Sequence, residues 1–216
     1  MRKETVAAAI TSSGMVPAIR VPSAEDAVFA ATILARGGIT LVELTMTVPD
    51  GVSVIAGLRR SHPDLLVGAG TVLDVETAEA CLDAGAAFLT SPGFEPDVVS
   101  FANSRNVMVI PGVMSPTEVM MASKAGAGFV KVFPCAQLGG PGYIQALRRP
   151  FPHIPMIASG GVTQQTAGEF IRAGAVAVGI REELIPSEAV ARRDEHWILE
   201  LAHRFRLIID RARGRQ

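Results

Sequence analysis

Short runs of apolar, mostly β-branched residues recur along this chain at intervals of a little over twenty residues. They are Val16–Ile19, Leu41–Met46, Leu65–Ala69, Ala87–Ser91, Val107–Pro111, Phe129–Phe133, Pro155–Ser159 and Ala175–Gly179. That interval holds one strand, one helix and two short loops. Nearly all the runs lack polar alternation, the pattern of strands covered on both faces in a parallel sheet. Helical patterns lie between them. Ala24 to Arg36 follows Ser23 and ends at Gly37-Gly38; Val75 to Ala84 follows Asp74 and ends at Gly85. Glu118 to Ala125 follows Ser115-Pro116 and ends at Gly126; Gln164 to Ala173 follows Thr163 and ends at Gly174. A helix running into Ala-Gly and then a strand, at 84–85, 125–126 and 173–174, is cap chemistry repeated, and points to an internal βα repeat.

Eight βα units in 216 residues predict an α/β fold, a closed (β/α)8 TIM barrel near the short end of its range. An open doubly wound sheet is the alternative, but Gly68-Ala69-Gly70 lacks the third glycine of a dinucleotide loop. Residues 1–13 and 194–213 are expected to add helices at the two ends. Trp197, Ile198, Leu201, Phe205 and Ile208 have helical spacing. No linker interrupts the pattern, so residues 1–216 read as one domain.

Composition narrows the function. With 49% hydrophobic residues the chain has ample apolar surface to bury, which excludes disorder as its main state. With 20 basic and 21 acidic residues it has no positive field to collect phosphates, so a nucleic-acid partner is not expected. No apolar run reaches membrane-spanning length, and the apolar stretch Val6 to Ile10 is too short for a signal-peptide core. Cys81 and Cys135 give neither metal spacing nor a disulfide framework, so a reducing cytoplasm is the expected compartment.

In a barrel of this kind chemistry gathers where strands end, so polar residues in or just after the apolar runs stand out. Only three of the twenty basic residues are lysines, and Lys131 lies inside Phe129-Val130-Lys131-Val132-Phe133. One reading is a snorkelling lysine, although a closed barrel has no edge strand to carry it. The other is a nucleophile. A lysine drawn out of water releases its proton more readily and can attack as a neutral amine, which a guanidinium cannot. Glu43, inside Leu41-Val42-Glu43-Leu44, is either half of a buried ion pair with Arg20 or Lys131, or a proton shuttle. Both residues lie on even-numbered strands, which share interior layers, so they could converge.

Arg20 ends the first run, and is either surface or a bidentate clamp for a carboxylate or phosphate. Gly68 to Thr71 is either a tight turn or a place where backbone approaches a ligand. Ser91-Pro92-Gly93 and Pro111-Gly112-Val113 read mainly as turns. Ser159-Gly160-Gly161-Val162 precedes a helix, and its amides suit an anion. The four histidines, His62, His153, His196 and His203, end no predicted strand, and no acidic cluster appears there, so no metal is expected. Cys135 reads as packing.

The motifs Val42-Glu43-Leu44-Thr45, Gly68-Ala69-Gly70-Thr71-Val72-Leu73, Ser91-Pro92-Gly93, Ile110-Pro111-Gly112, Phe129 to Pro134 and Ser159-Gly160-Gly161-Val162 occur in that order. Together, over residues 5–186, the chain resembles the class I aldolase family that includes 2-keto-3-deoxy-6-phosphogluconate aldolase and 4-hydroxy-2-oxoglutarate aldolase. The resemblance implies that Lys131 forms a Schiff base and Glu43 is the general acid/base. It implies that Thr71 and the backbone at Pro92 and Gly112 line the pyruvyl moiety of a small 2-keto acid, and that Phe133 also binds substrate. Ser159, Gly160 and Gly161 would hold a distal phosphate. It further implies a homotrimer that needs no cofactor or metal.

Two positions depart from the family pattern. Thr47 stands where some relatives carry arginine, which leaves Arg20 to bind the anion. After the eighth strand the family often reads Gly-Ser; here the chain reads Gly179-Ile180-Arg181-Glu182. Arg181 would attract a phosphate and Glu182 repel it. Competing expectations are an aldolase for a non-phosphorylated 2-keto-3-deoxy acid, an isomerase or epimerase with Glu43 as base, and a non-catalytic barrel.

Overall fold

The computed structural model describes residues 2–215. Its strands are β1 (Met15–Ile19), β2 (Leu41–Thr45), β3 (Leu66–Gly70), β4 (Phe88–Thr90), β5 (Met108–Ile110), β6 (Gly112–Val113), β7 (Val130–Val132), β8 (Met156–Ser159) and β9 (Ala177–Ile180). All pair in parallel, in the order β5-β4-β3-β2-β1-β9-β8-β7-β6. The two ends of that order are joined through one residue, Pro111, so the sheet closes on itself as a TIM-like barrel.

The expected fifth strand, Val107–Pro111, is observed as β5, and Gly112-Val113, expected to be part of a turn, forms the further short strand β6. Pro111 has no N–H to donate to a neighbouring strand, which interrupts the ladder. Its carbonyl instead accepts the Lys131 N–H at 2.9 Å. On one side of this break β5 pairs with β4; on the other, β6 pairs with β7.

The helices are α1 (Lys3–Ser13), α2 (Ala24–Arg36), α3 (Gly51–Ser61), α4 (Val75–Asp83), α5 (Pro96–Ser104), α6 (Pro116–Lys124), α7 (Pro141–Arg148), α8 (Ala167–Arg172), α9 (Ser187–Ala191) and α10 (Glu195–Ala212). The expected N-caps operate: Ser23 accepts from Asp26 N, Asp74 from Thr77 N, and Ser115 with Glu118 forms a capping box. The Ala-Gly phrases close helices as expected. Gly85, Gly126 and Gly174 have φ of 97°, 85° and 103°, and the next N–H reaches back to Cys81 O, Ala122 O and Phe170 O. One helix is shorter than expected: α8 begins at Ala167, because Thr163 and Thr166 first bond to each other in a turn.

Two apolar cores follow from the two faces of each strand. Outward-facing Val42, Leu44, Val67, Ala69, Val109, Val130, Val132 and Val178 pack beneath the helices. α10 lies on α2 and α8, burying Ile198, Leu201 and Phe205. Inward-facing Val16, Leu41, Leu66, Phe88, Met108, Phe129, Ile157 and Ala177 fill the start of the barrel. Phe88 is wholly buried there, where Gly68 makes room: a Cβ at 68 would lie 2.3 Å from its ring. Burial of one such ring stabilises the fold by about 1.5–3 kcal/mol. α1 seals the same end with Val6 and Ile10, touching β1, β5 and β9. The barrel is thus packed solid at one end, and polar residues occur only toward the other.

Candidate active site

At the carboxyl end of the strands the interior turns polar. Glu43 lies opposite Ala18 and Gly68 in the ladders, and Lys131 opposite Gly112 and Ile157. Both point inward. Lys131 Nζ lies 3.4 Å from Glu43 Oε1, with side-chain exposures of 13% and 5%. Of the two partners the sequence left open for Glu43, the structure brings Lys131 to it. Moving one proton across that gap converts ammonium and carboxylate into amine and carboxylic acid with no change in total charge. An amine and a carboxyl group able to exchange a proton therefore share one buried point.

The neighbours fit the pair. A Cβ on Gly70 would lie 2.2 Å from Glu43 Oε1, so only glycine admits the carboxyl group. The Phe133 ring centroid is 5.7 Å from Lys131 Nζ, giving the amine an aromatic wall.

Above the pair a cleft of about 350 Å³ opens to solvent. Of the residues expected at the site, Arg20, Glu43, Lys131, Phe133, Ser159, Gly160, Gly161 and Arg181 line it. Thr47, Thr71, Pro92 and Gly112 do not line it. Thr71, at φ 60°, accepts a hydrogen bond from Arg20 Nη2 at 3.2 Å. Thr47 shares a 2.9 Å hydrogen bond with Thr45, which itself lines the cleft and donates to Ile19 O. Gly112 packs on Pro92, whose carbonyl a Cβ at 112 would meet at 2.1 Å.

The distal end of the cleft is formed by Gly160, Gly161 and Thr163 on one side and by Arg181, Glu182 and Glu183 on the other. Gly160 and Gly161 have φ of 88° and 76°. Among the described residues no hydrogen bond is taken up by the N–H groups of residues 160–162. The amides expected from a helix start belong instead to this loop, since α8 begins four residues after Thr163. Arg181 and Glu182 pair loosely at 3.6 Å, both largely exposed, so the mouth carries both signs of charge.

Sequence reading missed Thr45, Thr90 and Thr163. The first two lie inside buried apolar runs, where a β-branched threonine reads as filler. Cys135 is wholly buried and burial pushes its thiol up to about 12, which keeps it protonated and inert, as expected of packing. Among the described residues no helix is long and apolar enough to cross a membrane.

Comparison with known proteins converges on one family. The family profile described as "KDPG and KHG aldolase" matches residues 6–201. A 2-dehydro-3-deoxy-phosphogluconate aldolase of Treponema pallidum is 35% identical over 190 residues, covering 88% of this chain and 90% of that protein. The KHG/KDPG aldolase of Escherichia coli K12 is 29% identical over 200 residues, covering 93% and 94%. A crystal structure of KDPG aldolase from Legionella pneumophila, with pyruvate captured as a covalent carbinolamine, superposes with a TM-score of 0.85. It is 30% identical and covers 90% of this chain and 95% of that one.

Proposed function

This chain belongs to the KDPG and KHG aldolase family, and from that premise we propose the reaction its cleft performs. It is a carbon–carbon lyase that cleaves 2-keto-3-deoxy-6-phosphogluconate to pyruvate and glyceraldehyde 3-phosphate. It also cleaves 4-hydroxy-2-oxoglutarate to pyruvate and glyoxylate. The observation that carries this reading is the 3.4 Å contact between Lys131 and Glu43 at the floor of the cleft.

The chemistry needs no more than this pair. The neutral Lys131 amine adds to the C2 ketone, and Glu43, holding the proton the amine gave up, passes it to the C2 hydroxyl to expel water. The resulting iminium is an electron sink. Glu43 takes the C4 hydroxyl proton, the C3–C4 electrons flow into the iminium, and the aldehyde leaves. Glu43 returns its proton to C3 of the enamine. Water adds to the new iminium and pyruvate departs. Covalent catalysis divides one difficult cleavage into easier steps, and one carboxyl group serves each proton transfer.

Arg20, held by Thr71, suits the carboxylate of the keto acid by its fork geometry. The 160–162 loop with Arg181 suits the distal anion. Thr47 supports Thr45 in the cleft wall through their hydrogen bond, and Gly112 packs on Pro92. Residues 1–216 act as one catalytic domain, in the cytoplasm and as a homotrimer, in keeping with the family resemblance. Glu182 at the distal end favours a second reading, an aldolase for an unphosphorylated 2-keto-3-deoxy acid.

Incubation with pyruvate and borohydride, followed by peptide mapping, tests the chemistry: a stable adduct on Lys131 is expected. Its absence from folded protein would overturn the Schiff-base mechanism. Rates on phosphorylated and unphosphorylated substrates separate the two readings of the distal end, and light scattering measures the assembly.

A further inference from the structure

Beside the Lys131–Glu43 pair, the interior keeps one more hydroxyl that the proposed reaction does not use. Thr90, the last residue of β4, is 2% exposed, and its Oγ1 has no hydrogen-bond partner among the described residues. A buried hydroxyl without a partner is costly, and valine would fill the same space without that cost. Thr90 lines an inner cavity of about 10 Å³ together with Glu43, Lys131 and Ser159 and the apolar residues Val16, Ile110 and Ile157. That volume is the threshold for one water molecule, and a buried water needs two to four polar partners. Four converge here.

Glu43 has a complementary need. Its carboxyl group makes one side-chain hydrogen bond among the described residues, through Oε1 to Lys131. The reaction breaks that contact each time Lys131 carries substrate, and Glu43 must nevertheless face C2, C4 and C3 in turn.

We propose that Thr90 anchors a single water molecule in this inner cavity, and that the water holds the Glu43 carboxyl group in place when Lys131 is engaged. The water accepts from the Thr90 hydroxyl and donates to the Glu43 carboxylate; no bond to Thr90 forms or breaks. Thr90 is thus a positioning residue, acting through water on the proton carrier. This rests on the aldolase reading given above.

The test compares Thr90→Val and Thr90→Ser with the wild-type enzyme. Valine keeps the shape and removes the hydroxyl; serine keeps the hydroxyl. For Thr90→Val the expected result is a fall in kcat of about 10-fold, since orientation is a fraction of what acid–base catalysis supplies. KM should stay unchanged, the pH profile of kcat should shift, and the melting temperature should be no lower than that of the wild type. Serine should restore most of the rate. Borohydride trapping of pyruvate on Lys131 should still succeed in both variants. Wild-type kcat and pH profile in Thr90→Val would overturn the inference, as would equal impairment in both variants, since serine keeps the hydroxyl that the inference requires. Failure to trap pyruvate on wild-type Lys131 would overturn the aldolase reading itself, and the role of Thr90 with it.

Discussion

Gly70 and Glu43 occupy the same space: a single methyl group at position 70 would lie 2.2 Å from Glu43 Oε1. The glycine at the end of β3 is a receptacle for a carboxyl group projecting from β2. Gly70→Ala should therefore displace Glu43 from Lys131 while leaving every outward-facing contact intact. We expect a loss of stability of about 1–3 kcal/mol from overpacking, and a fall in kcat larger than a Gly57→Ala control, whose added Cβ meets nothing within 4 Å. Denaturant titration and steady-state kinetics on the same samples check both.

The buried pair should behave as a unit. Lys131→Met leaves Glu43 without its partner, and should cost about 3 kcal/mol as well as abolish the pyruvate adduct. Adding Glu43→Gln should recover most of the stability and none of the activity. A double-mutant cycle followed by chemical denaturation reads the coupling. Additive losses would show that the two groups are energetically independent.

Glu118 supplies an acid-sensitive cap at α6. Burial works against its ionisation, but hydrogen bonds from the Met114 and Ser115 amides and the Ser115 hydroxyl outweigh it and hold the carboxyl below its ordinary value. A depressed carboxyl pKa stabilises the fold above the unfolded value of about 4.3, and that contribution disappears as pH falls through the folded value. Glu118→Gln should cost about 1 kcal/mol at pH 7. Below pH 4 the difference from the wild type should narrow. Melting curves from pH 3 to 7 measure it.

Cys135, whose thiol burial raises to about 12, should resist iodoacetamide at pH 8 in the native protein and react readily once unfolded. Mass spectrometry of timed quenches reads the modification. Rapid native labelling would mean that the segment after β7 opens.

Ile10 is wholly buried where α1 meets the barrel interior. Ile10→Ala should destabilise by about 2–5 kcal/mol through the cavity it leaves, with little change in KM, because the cleft is at the opposite end. Thermal unfolding and kinetics together test that separation.

Much of this was legible in the sequence because a parallel barrel writes its strands as unalternated apolar runs, so that a charge within one is conspicuous. Lys131 and Glu43 are visible for that reason, and strand parity allows the convergence that the structure brings about. The helices over α3, α5, α7 and α9 were not located. Asp50 enters α3 at φ 55° without a side-chain cap, Glu95 and Gly140 cap nothing through a side chain, and α9 is five residues long. The break at Pro111 was hidden because proline ended a run that read as continuous. Thr90 was hidden because a hydroxyl differs from a methyl only in what it needs nearby, and that is a property of three dimensions.

The plug formed by α1 has a kinetic consequence. A tube closed at one end works as a last-in, first-out stack. The keto-acid end of the substrate must descend first to reach Lys131, and the departing aldehyde lies nearer the opening. The aldehyde therefore leaves first and pyruvate last; in the synthetic direction pyruvate must load before any aldehyde can follow. Product-inhibition patterns should be those of an ordered mechanism, since Val6 and Ile10 help fill the far end of the barrel and leave the cleft mouth as the way out.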